Sequence, residues 1–267
     1  MRLAFSPCPN DTFVFHAWTH GLIEGAPPTE VTYADIDVTN TAAEQGEFDV
    51  VKVSYAALPW LLDRYRLLPS GGALGRGCGP LVLTNGGIDD LTGRTVAVPS
   101  ERSTAYLLFR LWAAGQRPAG IDVVPFAKIM PAVRDGRYDA GLVIHEARFV
   151  YQDYGLVSLV DLGAWWEDDT GLPIPLGAIL ARRDLDADAV TRVVRASVEY
   201  AWANPAAAQD YIAEHAAEMS PDVQRRHIEL YVNEFTRDLG DEGYAAIAAL
   251  LERAHRAGLT PSNPTLR

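Results

Sequence analysis

Short apolar, β-branched runs alternate with longer amphipathic stretches from one end of this chain to the other. A strand covered on both faces needs continuous apolar side chains, whereas a covering helix needs only one apolar stripe, so the alternation predicts strand–helix–strand units and an α/β fold with mainly parallel sheets. Residues 3–6 read as a strand, a helix starts near Asp11 and Thr12, and residues 30–34 read as the next strand. A helix over 40–45, a strand over 49–54, a helical stretch over 55–65, a glycine-rich loop over 70–80 and a strand over 81–84 complete a first lobe. The pattern restarts with strand 95–99, helix 103–114, strand 122–125, helix 129–134 and strand 140–144, a second sheet. After the aromatic-rich segment 149–166, the run 174–181 reads as a return strand, and helices over 188–204, 205–215, 221–232 and 240–257 pack back on the first lobe. A chain that builds one lobe, crosses to another and returns predicts a ligand cleft between two lobes. The expected larger lobe is discontinuous, 1–92 with 178–267, and 93–177 forms the smaller insert.

Charge limits the partners. Lys plus Arg total 23 against 35 for Asp plus Glu, a net charge of -12 that repels a nucleic-acid backbone. A small anion is still admissible, because helix N-termini and a few basic side chains override the far field inside a cleft. Only Cys8 and Cys78 occur, sparing use that suits a reducing cytoplasm, with a single bridge left open. The opening residues run straight into Ser6-Pro7-Cys8-Pro9 without the apolar core of a signal peptide, and no run approaches the roughly 18 to 20 apolar residues of a membrane span. The chain is therefore expected to be cytoplasmic, without a membrane or nucleic-acid partner. Its oligomeric state is not legible.

Candidate site residues fall at strand ends, where α/β folds gather ligands. Ser6-Pro7-Cys8-Pro9-Asn10-Asp11-Thr12 follows the first strand; Ser6, Asn10 and Asp11 are candidates for the cleft, with Asp11 or Thr12 as a plain helix cap the alternative. At Lys52-Val53-Ser54-Tyr55, alternation points Lys52 and Ser54 to one side and Val53 to the other. A surface lysine with a capping serine is the competing account, and Asn40 carries the same ambiguity between cap and ligand. The glycines of 70–80 lack the Gly-Lys-Ser/Thr ending of a phosphate loop and lead into a strand, so they indicate close backbone packing, with Arg76 at the cleft edge. Ser103-Thr104-Ala105 opens a helix whose N–H groups and Thr104 hydroxyl suit a carboxylate, with Ser103 as N-cap.

Val143-Ile144-His145-Glu146 is the most informative stretch. A histidine at the end of a buried strand titrates near neutrality and is placed for proton transfer, although a structural role is the common alternative. His16 and His20 lie four apart without a third ligand nearby, and His215, His227 and His255 fall in the C-terminal helices, so no metal site is expected. Glu146 is adjacent to His145 but points to the opposite face in a strand, whereas Tyr154 can reach the cleft from the following loop. Trp165 and Trp166 are read as packing rather than as a lid. Neither cysteine sits in a nucleophile motif, and no Gly-x-Ser-x-Gly elbow occurs.

Taken together, Ser6-Pro7-Cys8-Pro9-Asn10-Asp11-Thr12-Phe13, Lys52-Val53-Ser54-Tyr55-Ala56-Ala57, Ser70-Gly71-Gly72-Ala73-Leu74-Gly75-Arg76-Gly77 and Ile144-His145-Glu146 resemble the 1,4-dihydroxy-6-naphthoate synthases of the futalosine menaquinone route. The resemblance spans nearly the whole chain and departs at none of the four blocks. It implies an α/β, two-lobed periplasmic-binding-protein type II-like fold and a carbon–carbon lyase reaction without a cofactor, from cyclic dehypoxanthine futalosine to 1,4-dihydroxy-6-naphthoate. By position it makes His145 the proton acceptor and Asn40, Lys52, Val53, Ser54, Thr104 and Ala105 the residues that bind a small carboxylate-bearing substrate. A sister chorismate dehydratase, or a non-catalytic solute-binding protein on the same fold, are the alternatives; the 6–12 block and His145 favour the synthase.

Overall fold

The computed structural model describes residues 1–145, 147–216 and 220–266, so Glu146 lies outside the described residues. β1 (Arg2–Phe5) leads through α1 (Pro9–Thr19), β2 (Glu30–Tyr33), α2 (Ile36–Gln45), β3 (Val50–Ser54) and α3 (Leu58–Leu61) to the long β4 (Tyr65–Gly75). The middle of the chain gives β5 (Leu81–Thr84), β6 (Thr95–Val98), α4 (Thr104–Trp112), β7 (Gly120–Val123), α5 (Phe126–Arg134), β8 (Ala140–Val143), α6 (Ala147–Val150), β9 (Val157–Asp161) and α7 (Leu162–Thr170). The chain returns as β10 (Ile174–Arg182) and ends in α8 (Ala187–Ala203), α9 (Gln209–His215), α10 (Pro221–Tyr231), α11 (Glu234–Arg237) and α12 (Gly240–Arg256).

Among the described residues the strands form two sheets, ordered β2-β1-β3-β10-β4 and β7-β6-β8-β5-β9. In each, three parallel strands come from one lobe's own strand–helix units, and the strand arriving from the crossover joins antiparallel: β10 beside β3, and β5 beside β8. The sheets are therefore mixed rather than mainly parallel. Residues 81–84, expected in the first lobe, belong to the second sheet, because both edges of β5 are taken by β8 and β9. The crossing thus occurs at residues 76–80. The glycine-rich run is also not a loop up to Gly75: it is the end of β4, paired with β10 across two register shifts. Glycine is required there by close approach, since a Cβ on Gly71, at φ +87°, would sit 2.6 Å from a Val194 methyl, and one on Gly72 would sit 2.8 Å from the Gly177 carbonyl oxygen.

Helices α1 and α8 cover one face of the first sheet. Phe5, Phe15, Trp18, Val194 and Val198 bury together there, and Ser197 Oγ donates to the Val14 carbonyl. A second core runs from Val53 and Tyr55 through Val82 and Val98 to Leu250 and Leu251 of α12, so apolar contact is continuous between the lobes. Trp166 packs without exposure, its Nε1 donating to the Pro173 carbonyl. No helix among the described residues is long and apolar enough to cross a membrane.

The crossover is locked at one backbone contact. A Cβ on Gly79 would stand 2.2 Å from Gly163 N and 2.3 Å from Gly163 Cα. No rotamer change relieves a clash with backbone, so Gly79→Ala is expected to cost about 3 kcal/mol, the upper end of ordinary overpacking. A urea midpoint that drops at unchanged slope would show it.

Candidate active site

A cavity of about 650 Å³, counted out to its mouth, opens where strand ends from both sheets meet. Ser6, Asn10 and Asp11 reach it from the turn after β1, which becomes helical at Pro9 because proline suits the first helical position, with Cys8 as N-cap. Asp11 is almost fully buried. Its carboxylate accepts from Ser6 Oγ and from Asn10 Nδ2, each at 2.8 Å, and forms an ion pair with Lys52 Nζ.

Lys52 and Ser54 line the cavity from β3, as alternation requires, whereas Val53 turns into the core and does not line it. Room for Lys52 is made by Gly177 on β10, where a Cβ would stand 2.7 Å from Lys52 Cε. Asn40 is neither a cap nor a wall residue. It is buried in mid-α2, its Oδ1 accepting from the Ser54 N–H at 2.8 Å and its Nδ2 donating to Ser54 Oγ at 3.2 Å. Asn40 therefore holds Ser54 from behind, a role hidden because α2 begins four residues earlier than the sequence pattern suggested.

From the second lobe come Ser103, Thr104 and Ala105. Ser103 caps α4, accepting from the Tyr106 N–H. The N–H groups of Thr104 and Ala105 have no intrahelical partner by the geometry of a helix start. The Thr104 hydroxyl, expected to grip an anion, is committed elsewhere: it accepts from the Ala56 N–H at 3.2 Å and donates to the Leu176 carbonyl at 2.8 Å. It ties the two lobes together. Thr104→Val strips both partners and should lower stability by about 1–3 kcal/mol along with any loss of binding. An unchanged denaturation midpoint with weakened binding would return the hydroxyl to the ligand.

His145 follows β8 by two residues and has φ +53°, a left-handed conformation uncommon for a residue with a side chain. Such strain persists only where the surroundings over-determine it, and it gathers at functional sites. The imidazole lines the cavity, meets the Phe126 ring edge-on at 5.8 Å, and places Nδ1 3.8 Å from Cys8 Sγ across the lobe boundary. Cys8 and Cys78 are both free thiols; burial pushes the Cys78 thiol up to about 12, which leaves it protonated and unreactive.

Two further expected residues are also outside the cavity wall. Arg76 is on the surface, paired with Glu167 and Glu242 and donating to the Gly171 carbonyl, so it does not line the cavity. Tyr154 packs in the small apolar cluster under β5, with Arg134 6.0 Å from its ring centre, because the segment 151–154 is a helical turn rather than an extended loop.

Sequence reading missed His227 and Tyr231, which line the cavity from α10, with rings 4.6 Å apart. The available signal was an i, i+4 pair of ring residues on the only buried face of an otherwise polar helix. His227 has no exposed surface. Burial first, then the nearby His145 and Lys52, pulls its pKa down to about 3. The folded protein therefore excludes a proton that the unfolded chain takes up below about 6.5. Its contribution is full above that pH and is lost as pH falls toward about 3, by about 1.4 kcal/mol per unit at most. The difference in stability slope between wild type and His227→Gln over that window checks it. His16, whose pKa burial and His20 lower, cancels from the difference.

A family model described as menaquinone biosynthesis matches residues 1–256. A Streptomyces coelicolor protein named 1,4-dihydroxy-6-naphtoate synthase is 65% identical over 98% of this chain and 95% of its own. A Thermus thermophilus protein of the same name is 49% identical over 99% and 97%. A solved Archaeoglobus fulgidus structure superposes with TM-score 0.90 at 36% identity, covering 97% of each chain. The alkanesulfonate-binding protein of Xanthomonas axonopodis pv. citri, at TM-score 0.71 and 15% identity over 98% and 94%, shares the fold, that of the periplasmic binding proteins.

Proposed function

The chain belongs to the menaquinone biosynthesis family, and from that premise we propose that it converts cyclic dehypoxanthine futalosine into 1,4-dihydroxy-6-naphthoate as a cytoplasmic carbon–carbon lyase. The observation that carries the reading is full-length 65% identity to a relative of that name, joined to a cavity between the lobes that both an imidazole and a helix start line.

The parts divide the work by their chemistry. The N–H groups at the start of α4 face positive dipole density toward the cavity and suit the substrate carboxylate. Lys52 brings charge to the cavity from the first lobe, but Asp11 neutralises most of it, so Lys52 and Ser54 act as hydrogen-bond donors rather than as a bare cation. Apolar side chains of Ile36, Ala73, Ile144 and Leu176 close over the ring system and exclude water. His145 accepts the proton that starts cleavage, and the gain of aromaticity draws the reaction forward. Lobe closure, held in this form by Thr104 and by the Arg102–Glu44 ion pair, aligns base and substrate.

Purified protein should be offered cyclic dehypoxanthine futalosine and, separately, chorismate, with products followed by mass spectrometry. Formation of the dihydroxynaphthoate supports the reading. Consumption of chorismate alone would overturn it in favour of a dehydratase, and recovery of both compounds unchanged would leave a solute-binding role.

A further inference from the structure

The two ring nitrogens of His227 are in different situations. Asp11, paired with the Lys52 ammonium, can only accept, so the Asn10 amide must turn its NH2 toward that carboxylate. Its carbonyl oxygen then faces His227 Nε2 at 3.0 Å. A carbonyl also only accepts, which puts the ring hydrogen on Nε2 and leaves Nδ1 as a lone pair. That Nδ1 is buried and has no hydrogen-bond partner among the described residues. Its aromatic neighbours are His145 at 6.3 Å, Phe149 at 6.4 Å and Tyr231 at 4.6 Å between ring centres. Burial beside His145 and Lys52 keeps the ring neutral, so no second proton occupies Nδ1. His227 belongs to the cavity lining although its surface is covered in this form, so the donor that Nδ1 lacks is one that an occupant brings as this wall yields to admit it.

We propose that His227 is a substrate-binding residue whose Nδ1 accepts a hydrogen bond from a ligand hydroxyl, with Asn10 fixing the tautomer. This rests on the function assigned above, whose product carries two hydroxyls and one carboxylate. A carboxylate at Nδ1 would be repelled, lone pair against lone pair. The same cavity therefore separates the two ends of its ligand: acid at the start of α4, hydroxyl at α10.

The test compares binding of 1,4-dihydroxy-6-naphthoate with that of 2-naphthoate, which keeps the acid and lacks the hydroxyls. In His227→Gln the new amide NH2 still reaches Asn10 but nothing replaces Nδ1. It should weaken the dihydroxy acid about tenfold and leave 2-naphthoate within about twofold. In His227→Asn an amide oxygen stands near the Nδ1 position and should restore most of the difference. In turnover, His227→Gln should raise KM more than it lowers kcat. Wild-type protein labelled with 15N-histidine gives a reading that needs no variant: the Nδ1 resonance of His227 should move upfield with the dihydroxy acid and not with 2-naphthoate. Equal losses for both ligands, or a resonance that stays in place, would overturn the proposal while the function stands. Wild-type protein that neither binds the dihydroxy acid nor turns over the futalosine derivative would remove both.

Discussion

His145→Asn should lower kcat by about 10²–10⁴-fold, the range supplied by a positioned general base, and leave folding intact. The choice of asparagine follows from the backbone. His145 sits at φ +53°, and asparagine is among the few side-chain-bearing residues that enter the left-handed region readily. Alanine would confound loss of the imidazole with a change in local strain. Asparagine also stays polar on a half-buried wall and opens little empty volume. The measurements are single-turnover rate, the dissociation constant of the product, and the thermal midpoint. Binding and midpoint near wild type with turnover collapsed assign His145 to the chemical step. Turnover within about tenfold of wild type would move the base elsewhere in the cavity.

The features that decide this site were unequally written in the sequence. Strand-end positions were legible because alternation along β3 separates Lys52 and Ser54 from Val53, and the structure places the first two in the cavity wall and the third in the core. The turn after β1 was legible for the same reason, since Ser6, Asn10 and Asp11 follow a strand and open a helix. What escaped depends on partners distant in the chain. β5 carries a pattern that suits either sheet, and only its pairing with β8 and β9 decides between them. Gly71 and Gly72 depress strand propensity, yet they form strand because Val194, Ile179 and Tyr55 leave no room for a Cβ. Arg76 follows a glycine run toward the cleft in sequence, but Glu167 and Glu242 draw it to the surface. His227 is 217 residues from Asn10, and no local pattern announces that contact.

Removing the carboxylate of Asp11 should be the most damaging polar substitution in the molecule. Lys52 and Asp11 form a buried ion pair with side chains 7% and 2% exposed, and Ser6 and Asn10 complete the carboxylate's hydrogen bonds. Asp11→Asn leaves an ammonium facing an amide in a site that water scarcely reaches, at a cost of about 3–5 kcal/mol. Lys52→Met is expected to cost less, because Ser6 and Asn10 still donate to the remaining carboxylate. In the double variant Asp11→Asn, Lys52→Met neither charge is left unpaired, and stability should recover by about 2 kcal/mol or more over Asp11→Asn alone, since a buried pair is worth little against an apolar replacement of similar volume. Activity should not recover with it, because the proposed function makes Lys52 a donor to the ligand as well as a partner to Asp11. Urea denaturation of the four proteins measures the first claim and turnover the second. Recovery of both would make the pair purely architectural; an Asp11→Asn variant within about 1 kcal/mol of wild type would mean that water reaches Lys52 freely and that the pair does not organise this wall.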